Sequence, residues 1–197
     1  MRIVTPSGPA IVEVDEAPGS RFLFVLTHGS AGGVESPDLL AVRDAVTGVG
    51  GTVARVLQPF RVAGARAPGS AVRQDEAWTA LVAELRRRYP GLALVQGGRS
   101  NGARVACRTA RAAGAEAVVA LAFPLRPPGR PDRSRAGELR EAGVEVLVVN
   151  GDRDPFGVPD AADAAKLVVL PGEAHEFKKN PARVGEVVAE WLGPRYA

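Results

Sequence analysis

Chemistry is suggested first by the run Gly98, Arg99, Ser100, Asn101, Gly102, which follows an apolar stretch and opens an Ala/Arg-rich one. This is Gly-x-Ser-x-Gly at an expected strand-to-helix junction. A serine held on so sharp a turn has backbone torsions that side-chain-bearing residues avoid, and its neighbours two positions away are crowded against it. Glycines at 98 and 102 relieve that crowding. The turn lifts the Ser100 hydroxyl clear of the sheet, and the Asn101 N–H, at the positive end of the next helix, points to where a substrate oxyanion would form. Taken alone the pattern also fits an ordinary glycine-rich turn, since the chain has 23 glycines.

A serine nucleophile needs a base, and the base needs an orienting acid. The apolar run 146–150 ends in Gly151, Asp152, Arg153, Asp154, placing two carboxylates just past an expected strand. The run 166–170 ends in Pro171, Gly172, Glu173, Ala174, His175. Either aspartate fits a turn that satisfies its own amides, and a loop histidine fits a solvated surface. The chain has only 2 histidines, however, and both His28 and His175 directly follow expected strands. The order Ser, Asp, His at one sheet edge reads as a catalytic triad.

The elements that must position these residues alternate. An opening hairpin spans 3–4 and 11–14, and strands are expected at 21–27, 52–57, 92–96, 117–122, 144–150 and 166–170. Helices are expected at 36–47, 72–89, 101–113, 134–142, 159–165 and 181–192, with 59–69 and 123–135 irregular. Ser36 with Pro37 forms a helix start. Such alternation requires a mostly parallel sheet covered on both faces, with its site beyond the carboxyl ends of the strands.

At 197 residues and 46% hydrophobic, one compact domain over residues 1–197 is expected. No apolar run of about 18 residues occurs and the N-terminus has no signal-peptide pattern, so a soluble, cytoplasmic chain with no membrane partner is the expectation. Net charge is only +3. The clusters Arg86–Arg88 and Arg126–Arg135 lack interleaved aromatics, so they are read as solvated surface, with attraction of an anionic substrate as the lesser alternative, and no nucleic-acid partner is expected. The lone Cys107 cannot form an internal disulfide, and with 2 histidines it cannot build a structural zinc site, so no metal is expected. Trp78, Trp191 and Cys107 fall on helices as packing residues.

Together, THGSAGG at 27–33, GGRSNGAR at 97–104, FPLRPPGRP at 123–131, NGDRDPFG at 150–157 and PGEAHEF at 171–177 resemble the alpha/beta-hydrolase superfamily, and within it the small dienelactone-hydrolase-like proteins without a cap domain. The resemblance implies an alpha/beta-hydrolase fold, Ser100 as nucleophile, His175 as general base and then acid, and no cofactor. It implies Asp154 as the orienting acid, because Gly151 to Asp154 matches the superfamily's Gly-x-x-Asp; Asp152 is the fallback acid and otherwise a turn-stabilising residue. It places the oxyanion donors at the amides of Asn101 and of Ser30 or Ala31, with His28 holding its loop. Arg99 is placed either to meet a substrate carboxylate or to form an ion pair behind the elbow. Phe60, Phe123, Leu125 and Phe156 are candidates for the acyl or alcohol pocket, or for core packing. Dienelactone hydrolases use cysteine where this chain has Ser100, so dienelactone does not carry over as substrate. The expected function is hydrolysis of carboxylic esters in small or accessible acyl substrates, since no insertion is long enough for a folded lid. Alternatives are a thioesterase, peptidase or acyltransferase on the same site, or a non-catalytic interaction module.

Overall fold

The computed structural model describes residues 1–127, 129–130 and 132–197; Pro128 and Pro131, within the 123–131 motif, lie outside the described residues. Eight strands form one sheet in the order β1-β2-β4-β3-β5-β6-β7-β8. They are β1 (Arg2–Thr5), β2 (Gly8–Asp15), β3 (Phe22–Thr27), β4 (Gly51–Leu57), β5 (Ala93–Arg99), β6 (Ala117–Leu121), β7 (Glu145–Gly151) and β8 (Lys166–Leu170). The β1–β2 and β2–β4 pairings are antiparallel, and every pairing from β4 across to β8 is parallel.

Strands buried on both faces explain the dense apolar runs. In β3, Leu23 and Val25 join the core on one face while Phe22, Phe24 and Leu26 join the core on the other. The first core is closed by α3 (Ala71–Arg88) and α4 (Asn101–Ala113), through Trp78, Leu81, Leu85, Val105 and Ala106. The second is closed by α1 (Pro37–Gly48) and α6 (Pro181–Leu192), through Leu39, Val42, Val184 and Val188. Two shorter helices, α2 (Pro59–Val62) and α5 (Ala136–Arg140), complete the set among the described residues.

Several boundaries differ from the sequence reading. Segment 59–69 opens with α2, because extended Gln58 precedes Pro59 in the first helical turn and proline's fixed φ suits that place. The helix expected over 134–142 is only α5. The one expected over 159–165 is a single 3-10 turn, Ala161–Asp163. Asp160 and Asp163 cap it reciprocally, and Ala164 is already extended. Ser36 does precede α1, but its side chain makes no capping bond. No helix among the described residues is long and apolar enough to cross a membrane.

The chain runs from β3 outward to β4 and then back across to β5 on the other side. A crevice therefore opens where β3 and β5 end side by side, with Thr27 in register with Gly98. Segments 58–70, 122–135 and 152–165 are long excursions from this edge, and among the described residues none builds a cap over it.

Close packing between β3 and β5 requires a missing side chain at Gly97, where a Cβ would lie 2.6 Å from the Phe24 ring and 2.9 Å from the Val119 carbonyl oxygen. Gly97→Ala should lower stability by about 2 kcal/mol, read as a shifted midpoint in urea unfolding; an unchanged midpoint would show that the sheet can yield there.

Candidate active site

Ser100 sits between β5 and α4 with φ 55° and ψ −117°, a sparsely populated backbone conformation. Its N–H donates to the Leu121 carbonyl at 2.9 Å, tying the turn to β6. Two glycines make the turn possible by close approach. A Cβ at Gly98 would lie 2.5 Å from the Gly102 carbonyl carbon, and one at Gly102 would lie 2.7 Å from the His28 carbonyl oxygen.

The Ser100 hydroxyl oxygen is 2.8 Å from His175 Nε2. His175 Nδ1 is 2.8 Å from Asp154 Oδ2. A carboxylate can only accept, so Nδ1 carries the proton, and Nε2 is left to accept from the serine. Asp154 follows β7, and its side chain is fully buried. The amide of Phe156 donates to Asp154 Oδ1 at 2.9 Å, and Asn150 Nδ2 approaches Oδ2 at 3.3 Å. Asp152 is turned away: its Oδ1 accepts from the Gly172 N–H at 2.7 Å, clasping the loops after β7 and β8. The structure thus brings Asp154, not Asp152, to His175.

Further braces were not anticipated from sequence. Fully buried Asn150 accepts from the Phe123 N–H at 2.9 Å while its amide reaches Asp154, so one side chain fixes the loops after β6 and β7. Glu173, 3% exposed, accepts from the amides of Lys179 at 3.3 Å and Asn180 at 2.5 Å. That anchors the histidine loop to the start of α6. A Cβ at Gly151 would lie 2.2 Å from the Glu173 carbonyl oxygen, so the two loops touch through bare backbone. The readable signal for Asn150 was a polar residue ending an otherwise apolar strand.

On the opposite wall, the loop after β3 passes against the serine: a Cβ at Gly29 would lie 3.1 Å from the Ser100 Cβ. Ser30 and Asn101 line the same cleft, and among the described residues neither backbone N–H has a protein partner. Asn101 Nδ2 donates to Gln74 Oε1 on α3 at 2.7 Å. Arg99 packs behind the loop, its Nε 3.6 Å from the almost completely buried Asp38 carboxylate. It therefore meets the ion-pair alternative, without a hydrogen bond between the two groups, while also bordering the cleft.

Of the candidate aromatics, Phe156 lines the cleft, its ring edge-on to His175 at 4.5 Å between centroids. Phe123 does not: it is fully buried in the core. The chain turns inward at Ala122, φ 45°, whose N–H is held by the Val149 carbonyl at 2.8 Å. Phe60 lines a separate cavity with Trp78 and Leu81, and its ring tilts against His28. Leu125 is mostly buried beside Gly157. Arg135, expected on the solvated surface, instead lines the cleft with Arg104. Trp78 packs in the core and donates to Gln96. Cys107 is fully buried, and desolvation pushes its thiol pKa far up, so it carries no thiolate chemistry. Among the described residues no group of three or more His, Cys, Asp or Glu could hold a metal ion.

Residues 20–186 match the family model described as alpha/beta hydrolase domain, and the chain belongs to that family. No curated protein matches the chain by sequence. Among solved structures, Est1E from Butyrivibrio proteoclasticus with ferulic acid bound superposes with a TM-score of 0.79 at 17% identity, over 98% of this chain and 97% of that one. XC6422 from Xanthomonas campestris, an alpha/beta serine hydrolase without lid, gives 0.78 at 21% identity, over 100% and 94%. Dienelactone hydrolase from Anabaena variabilis gives 0.78 at 18% identity, over 100% and 96%. At these identities the likeness is one of fold.

His28 has a different part. The Gln58 N–H donates to its Nε2 at 3.0 Å, so Nδ1 carries the proton and donates to the Gly29 carbonyl at 2.7 Å. Burial, the largest influence, lowers its pKa from 6.5 to about 4. The folded state therefore refuses a proton that the unfolded chain accepts. His28 supports the fold fully above pH 6.5, and that support is lost as pH falls from 6.5 to about 4. The loss amounts to about 3 kcal/mol at most. Urea unfolding of the native chain and His28→Asn at pH 7 and about pH 4.5 should show the native chain losing more stability on acidification; equal losses would contradict this.

Proposed function

We propose that this alpha/beta-hydrolase family member is a serine hydrolase cleaving carboxylic esters of small or accessible acyl substrates, with Ser100, His175 and Asp154 as its triad. The observation that carries this reading is the continuous hydrogen-bonded chain from Asp154 through His175 to Ser100, opening into a cleft at the sheet's switch point.

Ser100 attacks the ester carbonyl while His175 Nε2 takes the hydroxyl proton, and Asp154 stabilises the imidazolium that results. The Asn101 and Ser30 amides receive the oxyanion, each worth about 3 kcal/mol of transition-state stabilisation. The tetrahedral intermediate collapses, the carbonyl–oxygen bond breaks, and the alcohol leaves with the proton from His175. Water then attacks the acyl-serine, giving one proton to His175 and its hydroxyl to the acyl carbon. The acyl–Oγ bond then breaks, His175 returns its proton to the Ser100 oxygen, and the acid leaves. Every step uses side chains and amides of this chain. A cleft that none of the described residues roofs suits short or accessible acyl groups.

Hydrolysis of p-nitrophenyl acetate and butyrate tests the assignment. Ser100→Ala should abolish turnover, and Asp154→Asn should lower kcat about a thousandfold or more. Asp152→Asn, which loses only a loop-clasping hydrogen bond, should stay within about threefold of native. Equal losses at the two aspartates would overturn the choice of acid. A clear preference for long-chain over short-chain esters would overturn the substrate class, and a folded native chain inert to esters, thioesters and amides would favour an interaction module.

A further inference from the structure

Three guanidinium groups, of Arg99, Arg104 and Arg135, line the cleft that holds Ser100 and His175. Their charges are unequally matched. Arg104 makes a two-pronged pair with Glu138, Nε to Oε2 at 2.8 Å and Nη2 to Oε1 at 2.6 Å. Arg99 lies 3.6 Å from Asp38. The one carboxylate residue of the lining, Glu176, is exposed and pairs with Lys178 at 2.5 Å.

Arg135 differs. Among the described residues its side chain makes no ion pair, and its one hydrogen bond runs from Nη1 to the Pro124 carbonyl at 3.1 Å. Glu138 is already engaged by Arg104 and lies 3.5 Å from Arg108. Burial, then repulsion by Arg104, lowers the Arg135 pKa, which marks a cation short of partners. Yet the backbone that carries it is well fixed. The Arg135 N–H donates to the Leu125 carbonyl at 2.8 Å, closing the loop at its base. The Arg126 N–H donates to the Phe156 carbonyl at 2.9 Å, joining that loop to the one that carries Asp154.

A half-buried, positioned guanidinium with donors to spare, in the same cleft as the nucleophile, matches a planar anion better than solvent. We propose that the cleft selects substrates bearing a carboxylate on the acyl part, and that Arg135 binds that carboxylate. One surplus positive charge matches one carboxylate: Arg104 is hydrogen-bonded to Glu138, and the charge of Arg99 is balanced by nearby Asp38. The inference rests on the ester-hydrolase reading and adds the substrate's charge to it. The carboxylate takes no part in bond breaking, and it orients the ester carbonyl toward Ser100.

The test compares methanol release from monomethyl glutarate and monomethyl adipate with that from methyl pentanoate and methyl hexanoate, which replace the carboxylate by a methyl group. Native protein should favour the charged esters in kcat/KM by about tenfold or more, equivalent to one charge-assisted contact. Arg135→Gln should lower that ratio by about fivefold or more, and Arg135→Lys should recover part of it. Raising salt from about 50 to about 500 mM should lower the native ratio, and this decides the matter should Arg135→Gln not fold. A native ratio near one, or a ratio unchanged in folded Arg135→Gln, overturns the inference while leaving ester hydrolysis standing. If no ester is cleaved, ester hydrolysis itself fails. Calorimetric titration with glutarate then decides this site alone: binding lost in Arg135→Gln supports it, and no binding to native protein overturns it.

Discussion

The strained turn at Ser100 is the constraint on which the rest depends. A residue at φ 55° and ψ −117° costs on the order of 1–3 kcal/mol. It persists because its surroundings leave no other path: β5 is clamped between β3 and β6. The Ser100 N–H is fixed to Leu121, and α4 begins at the next residue, with bare glycine backbone on both sides. Two cores filled by β3 and its neighbours hold the strands in place. The hydroxyl is thereby presented at the switch point instead of being folded back as a helix cap.

His175 and Asp154 are located by a second layer of polar contacts. Asn150 spans from Phe123 to Asp154, Asp152 ties Gly151's loop to Gly172, and Glu173 anchors the histidine loop to the start of α6. Each partner is a backbone amide or a group already committed elsewhere, which leaves little freedom for His175 to drift from Ser100. The opposite wall is organised by neutral His28, whose two ring nitrogens are both engaged by backbone. Arg99 and Asp38 support that wall from behind.

Much of this was legible because the fold leaves marks at fixed places. Apolar runs ended by glycine, aspartate or histidine revealed both the parallel sheet and the edge where Ser100, Asp154 and His175 meet. The meeting itself is a matter of three-dimensional register, which the pattern could only suggest. What escaped lies where periodicity fails. Phe123 turned inward because Ala122 adopts φ 45°, a conformation nothing in FPLR announces. Phe60 went to another cavity because α2 redirects the chain after Gln58. Asn150, Glu173 and Gln74 act through contacts between distant segments, and Arg135 stands out only when the partners of the neighbouring arginines are known.

In the proposed hydrolase the Ser100 hydroxyl is activated by His175 and open to an acyl-like electrophile. Intact-mass spectrometry after exposure to a fluorophosphonate, with peptide mapping of the adduct, tests it most directly. A single adduct is expected, located on Ser100, absent in Ser100→Ala and strongly slowed in His175→Ala. A folded native chain that gains no adduct, or gains it at another residue, would contradict it.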